Sequence, residues 1–192
     1  MNSKELINKR ILDLGFLLKS FSEENKSNFS KIAEIFIDTL KKNNTIFWCG
    51  NGGSAAESSH LAAELIGRFR SDRTPLPSVS LNSDNVVLTG ISNDFGYENV
   101  FSRQLKALAK KGDLLICLST SGKSENIIRA LEEANFLGIS TISLLGAKGG
   151  KALGLSNLSI VIDSTDTARI QEIHLMLGHV LCEYAESQIF SL

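Results

Sequence analysis

The amino-acid sequence predicts an α/β protein: a doubly wound, five-stranded parallel sheet preceded by two helices. Three observations point there. Five short runs, at residues 45–49, 78–81, 114–118, 141–145 and 158–162, are almost continuously apolar, as strands covered on both faces are. Segments of helical character separate them, at about 54–69, 84–92, 98–110, 124–137, 148–155 and 167–189, which gives right-handed crossover units. The runs end in Gly50-Asn51-Gly52-Gly53-Ser54, Asn82-Ser83-Asp84-Asn85, Ser119-Thr120-Ser121-Gly122 and Gly146-Ala147-Lys148-Gly149-Gly150. Ligands of such sheets bind outside the carboxyl ends of the strands, so the chemistry is expected along one edge.

Taken in order, residues 4–43 read as two amphipathic helices. The first carries Leu6, Ile7, Ile11, Leu14, Leu17 and Leu18; the second carries Phe29, Ile32, Ala33, Phe36, Ile37 and Leu40, both at helical spacing. Ser22, followed by Glu23 and Glu24, suits the start of the second helix. This lead-in, residues 1–43, packs either on the protein's own sheet or on a neighbouring subunit. Residues 44–192 form the α/β core. Pro75 and Pro77 fall in the loop before the second strand, and no internal repeat, low-complexity tract or linker interrupts the pattern. One domain spanning 1–192 is expected.

Composition excludes several classes of function. Lys and Arg number 20 against 21 acids, a net charge of −1, which supplies no general attraction for nucleic acid. Any anion must be caught by a local site. Cys49, Cys117 and Cys182 lie far apart without metal-ligand or framework spacing, as in a reducing compartment. The N-terminal residues lack the layout of a signal peptide, and no apolar run approaches the ~20 residues that span a bilayer. A cytoplasmic protein is expected.

Gly50-Asn51-Gly52-Gly53-Ser54 follows a strand and opens a helix, so backbone amides at the helix start can meet a ligand closely. The spacing also matches a dinucleotide fingerprint, but the second strand ends Ser80-Leu81-Asn82 without the acid that would grip a ribose. A sugar or phosphate contact fits better. Ser119, Thr120, Ser121 and Ser124 place four hydroxyls within six residues, at a strand end and before a helix. That suits phosphate oxygens; a single helix cap would explain one hydroxyl. Lys123 lacks the spacing of a nucleotide P-loop, so ATP is not implied.

His60 and Glu64 share a helix face, close enough to serve one metal ion or one reacting substrate. On the last helix, Gln171 and His179 lie on one side but about 12 Å apart along the axis. A shared metal would need converging side chains, a bend, or another subunit. His174 is assigned no role. Asn93-Asp94, with Gly96 behind them, read as a helix-ending turn.

These residues resemble those of the SIS (sugar isomerase) domain proteins and, more narrowly, the phosphoheptose isomerases. The likeness runs through nearly the whole chain: the leading helices, Cys49-Gly50-Asn51-Gly52-Gly53-Ser54-Ala55-Ala56, the stretch from His60 to Arg68, Asn93-Asp94, the 119–124 loop, and Thr167-Ala168-Arg169-Ile170-Gln171-Glu172 with His174. The resemblance implies a flavodoxin-like sheet and a homotetramer with active sites shared between subunits. It implies zinc held by His60, Glu64, Gln171 and His179. It implies substrate contacts from Asn51, Gly52, Gly53, Glu64, Asn93, Asp94, Ser119, Thr120, Ser121, Ser124 and Gln171, the role of Asn93-Asp94 resting on the resemblance alone. The implied reaction converts sedoheptulose 7-phosphate, a phosphorylated seven-carbon sugar, to D-glycero-D-manno-heptose 7-phosphate through an enediol, with Glu64 as base and His179 as partner acid/base. That is the first step towards nucleotide-activated heptose for lipopolysaccharide or a related glycan. Leu81-Asn82-Ser83-Asp84-Asn85-Val86-Val87-Leu88-Thr89 looks more like a non-catalytic paralogue that associates with the replication initiator. That binding protein is the alternative; Glu64, His179 and the intact hydroxyl loop favour the enzyme.

Overall fold

The computed structural model describes residues 1–190; the last two positions of the expected 1–192 domain lie outside the described residues. Helices α1 (Ser3–Lys19) and α2 (Glu23–Lys41) come first. Asn2 and Glu5 cap α1 reciprocally, and the Ser22 side chain accepts from the Asn25 N–H at the start of α2, which satisfies amides that helix starts leave orphaned. The chain then alternates through β1 (Ile46–Gly50), α3 (Gly53–Ile66), β2 (Ser78–Ser80), α4 (Asn85–Phe95), α5 (Ser102–Leu108), β3 (Leu114–Ser119), α6 (Glu125–Leu137), β4 (Ser140–Gly146), α7 (Gly150–Leu153), β5 (Leu158–Ile162) and α8 (Thr167–Phe190). All strand pairs are parallel, in the order β2-β1-β3-β4-β5. The expected doubly wound, flavodoxin-like sheet is therefore present.

Alternation along the strands builds two cores. Ile46, Trp48, Leu114, Ile116 and Leu118 face α2, α3 and α8, whereas Phe47, Cys49, Leu115 and Cys117 face α5, α6 and α7. Successive side chains point to opposite faces, so strands sandwiched between two helical layers are apolar at every position. The three cysteines are free and buried, and burial holds the Cys117 thiol well above its ordinary range.

The two leading helices divide the alternatives between them. α2 buries Ile32, Ala33, Phe36, Ile37 and Leu40 in the protein's own core. α1 buries no residue fully and leaves Ile7, Ile11, Leu12 and Phe16 more than half exposed.

Element ends differ from expectation for local reasons. α4 continues to Phe95, so Asn93 and Asp94 form its last turn and do not follow it; Gly96, at φ 86°, is the stop. Asp84 caps α4, accepting from the Val86 and Val87 N–H groups. The expected helix at 98–110 is a 3-10 turn, Tyr97–Asn99, followed by the short α5. α7 covers only part of 148–155 because Gly149 and Gly150 both take positive φ.

Phe36 is fully buried and meets Trp48 edge-on, with ring centroids 6.0 Å apart. Phe36→Ala is expected to cost about 3–5 kcal/mol of unfolding free energy. Denaturant melts followed by Trp48 fluorescence check this; a loss below about 1 kcal/mol would show that α2 is not part of the cooperative core.

Candidate active site

The strand order reverses between β1 and β3, which pair side by side with Gly50 opposite Leu118. Such a reversal leaves a crevice at the strand ends. Here it holds a cavity of about 250 Å³ lined by Asn51, Gly52, Gly53, Ser54, Leu118, Ser119, Thr120, Ser121, Ser124, Thr167 and Gln171. Eight residues expected to touch substrate are thereby brought together, and Ser54 and Thr167 join them unforeseen. Gly52, at φ 58°, turns the chain into α3. Gly53 lets the Gln171 amide lie against the start of α3: a Cβ there would come 2.5 Å from Gln171 Nε2 and push that side chain aside.

The starts of α3 and α6 both border this cavity, and helix N-termini favour anions. Ser124 is the N-cap of α6 but makes no side-chain capping bond. Ser119 Oγ accepts from the Gly122 N–H at 3.0 Å and Ser121 Oγ from the Lys123 N–H at 3.2 Å, which leaves both hydroxyl protons to donate. The hydroxyls are thus not explained as caps of α6. The glycines after β4 brace this loop from behind. The Ala152 N–H donates to the Gly122 carbonyl at 3.0 Å, and a Cβ on Gly122 would collide with the Gly149 carbonyl.

A second cluster forms farther along α3 and α8. The two helices run parallel: Ser54 meets Gln171 and His60 meets His179, at sequence separations of 117 and 119, and in the loop after α3 the Phe69 N–H donates to Glu186. Gly178 lets Leu61 press against α8, since a Cβ there would overlap the leucine side chain. His60 Nε2 lies 2.9 Å from Glu64 Oε1 and 3.3 Å from His179 Nε2. One ligand atom from each of these residues falls within 4.8 Å of the others. Two imidazoles and a carboxylate are a donor set that binds a catalytic metal and leaves a position open. The Phe69 ring stacks on His179 at 5.4 Å. Partial burial and the neighbouring His60 hold His179 below the ordinary imidazole range, Glu64 pulling the other way and Arg70 adding to the lowering.

Gln171 stands apart from this cluster. α8 is continuous, so eight residues separate it from His179 by about 12 Å, and its amide lies 3.4 Å from Ser54 Oγ in the first cavity. Asn93 and Asp94 are also elsewhere: the Asn93 amide donates to Asp94 Oδ1 at 2.8 Å, and Asp94 lines a groove between α4 and α5. His174 is fully buried against the Leu145 carbonyl, and burial lowers it to about 4. It is a neutral core residue. Glu57, one turn before His60, was not anticipated; burial raises its carboxyl to about 7 against the opposing bond with Ser54.

An unforeseen clamp holds the cluster's far end. Arg73 and Glu186 pair at 3.0 Å with side chains only 2% and 3% exposed. The guanidinium also donates to the carbonyls of Glu64, Leu65 and Gly67, closing the end of α3. The carboxylate accepts the backbone N–H groups of Phe69, Arg70 and Ser71, which fixes the ring over His179. Burial alone would raise the Glu186 pKa, but these three N–H groups and Arg73 hold it below the ordinary carboxylate range.

Comparisons with known proteins show the family of the chain. Residues 13–146 match the model of the SIS domain family. A phosphoheptose isomerase from a Nitratiruptor species is 48% identical over 178 residues, covering 93% of this chain and 95% of that one. The structure of the phosphoheptose isomerase from Neisseria gonorrhoeae superposes with a TM-score of 0.90 at 33% identity, covering 97% of this chain and all of that one. That of the Francisella tularensis enzyme gives 0.93 at 29% identity, with the same coverage. The chain belongs to the SIS domain family and, within it, to the phosphoheptose isomerases. The enzyme is favoured over the initiator-binding alternative.

At pH 7, Glu186→Gln is expected to cost about 3–5 kcal/mol, because it strands the buried Arg73 charge. Folding lowers the Glu186 pKa, so the stability from its ionised form is complete above the unfolded value, ~4.3, and is lost as pH falls through the lower folded value. Urea melts from neutral to acid pH should show the gap between wild type and variant narrowing below about pH 4; a constant gap would contradict this linkage.

Proposed function

We propose that this phosphoheptose isomerase converts sedoheptulose 7-phosphate to D-glycero-D-manno-heptose 7-phosphate with Glu64 and His179 as its proton-transfer pair. The observation that carries the reading is the convergence of His60, Glu64 and His179 within 4.8 Å. The sugar's phosphate belongs in the neutral cavity after β1 and β3. There Ser119, Thr120, Ser121 and Ser124 offer hydroxyls, and Asn51, Gly52 and Gly53 offer amides at the start of α3. Dipoles and hydroxyls suit phosphate oxygens without a cationic residue.

Ketose-to-aldose conversion moves a proton between adjacent carbons and another between their oxygens. Glu64, 21% exposed and on the rim of the cluster, takes the carbon-bound proton and returns it to the neighbouring carbon. His179, held neutral near pH 7 by its lowered pKa, exchanges the proton with the oxygens. Phe69 fixes the imidazole plane and shields it from water on one side. The cluster's donor set fits zinc, held by His60, Glu64 and His179, which when bound would supply positive charge beside the developing enediolate.

The fourth expected ligand, Gln171, sits with the phosphate cavity about 12 Å along α8 from His179. If it serves both the metal and the substrate, the metal group of one subunit faces the phosphate cavity of another. Asn93 and Asp94, outside the cavity in a single chain, join the substrate the same way. A homotetramer with shared sites meets this requirement, and the uncovered apolar side chains of α1 support burial against another subunit. The described residues include no helix long and apolar enough to cross a membrane. The cysteines are free, which accords with a reducing compartment, and we place the enzyme in the cytoplasm, acting as one domain without nucleic acid.

Turnover of sedoheptulose 7-phosphate by purified variants tests the roles. Glu64→Gln and His179→Ala are each expected to lower kcat by about 10²–10⁴-fold without loss of helical circular dichroism. Near-normal kcat in either variant would remove that residue from proton transfer.

A further inference from the structure

We infer that Asn126 is a positioning residue for substrate binding: it locks the Asn51 carboxamide so that an N–H, and not the carbonyl oxygen, faces the ligand cavity. This rests on the assignment of Asn51 to the substrate. Asn126 lies in the first turn of α6, is 3% exposed and does not line the cavity itself. It reaches the ligand only through Asn51.

The two carboxamides bond reciprocally. Asn51 Nδ2 donates to Asn126 Oδ1 at 2.9 Å, and Asn126 Nδ2 donates back to Asn51 Oδ1 at 2.8 Å. The Tyr97 hydroxyl donates to the same Asn51 oxygen at 3.0 Å. A carboxamide has two N–H donors and an oxygen with two lone pairs. Both lone pairs and one N–H of Asn51 are thereby taken, so what remains is a single N–H of fixed direction. Phosphate and sugar oxygens are acceptors, and a lone donor is the complement they need. Turning the Asn51 amide over alone would set its nitrogen against the Asn126 nitrogen and its oxygen against the Asn126 oxygen, a costly arrangement, so the two carboxamides hold their orientation as a pair.

The backbone beside it is fixed by the same device. The Asn82 carboxamide accepts from the Gly50 N–H at 3.1 Å and donates to the Gly50 carbonyl at 3.0 Å. The tip of β1 is thus held at the main chain by Asn82 and at the side chain by Asn126.

A double-mutant cycle on the full-length enzyme tests this, with kcat and KM for sedoheptulose 7-phosphate measured for Asn51→Ala, Asn126→Ala and the pair. Asn126→Ala is expected to lower kcat/KM about tenfold, chiefly through KM, and to add nothing in the Asn51→Ala background. Additive losses would overturn the inference and make Asn126 merely structural. If Asn126→Ala fails to fold, the isosteric Asn126→Asp replaces it in the cycle. It keeps an acceptor for Asn51 Nδ2 but cannot donate to Asn51 Oδ1, and the same loss in kcat/KM is expected. Failure of the underlying reading looks different: Asn51→Ala with unchanged kinetics withdraws Asn51 from the substrate and the inference with it. A damaging Asn51→Ala beside a harmless Asn126→Ala overturns the role of Asn126 alone.

Discussion

Helices α3 and α8 lie side by side and point the same way, and the arrangement of the site depends on that pairing. Parallel neighbours bring corresponding turns together, so a residue eight positions along one helix can meet only the corresponding turn of the other. At their starts the pair presents Gly53, Ser54 and Gln171 to the phosphate cavity. Farther along it presents His60, Glu64 and His179 to one another. Gly178 sets the closeness of approach by admitting Leu61, and the Arg73–Glu186 clamp stops the helices sliding at the far end. A shift of one turn, about 5.4 Å, would separate the two imidazoles completely.

The two stations differ in electrostatic character for physical reasons. The first has no charged side chain in its lining among the described residues; it relies on hydroxyls, amides and helix starts, which hold an anion without being drawn into proton transfer. The second is made of ionisable groups left partly open, His60 being 48% exposed at the side chain. Two ionisable groups outside the chemistry are buried in their neutral forms. Burial keeps His174 deprotonated and pushes the Cys182 thiol up to about 12. Glu186 stays charged in the interior because four donors surround it.

Much of this was legible in the sequence where the cause is local. Strands apolar at every position, the helix start at Ser22, the pairing of His60 with Glu64 and the hydroxyl loop all follow from neighbours a few residues apart. What escaped depends on partners 46 to 117 positions away. Nothing near Arg73 signals that Glu186 will bury it, and nothing near Asn51 signals Asn126 or Tyr97. Asn93 and Asp94 read as a turn because Asn, Asp and Gly favour one, yet the helix runs on to the glycine that ends it. Gln171 and His179 were separable by helix geometry alone; that Gln171 turns to Ser54 depends on the tertiary register.

The measurement that bears most directly on the His60–Glu64–His179 cluster is sedoheptulose 7-phosphate turnover by purified enzyme, before chelation, after chelation and after zinc is restored, with bound metal quantified at each stage. Activity that disappears with the metal and returns with zinc is the predicted result. Full turnover by protein shown to be free of metal would contradict the metal role and leave Glu64 and His179 to act as acid and base alone.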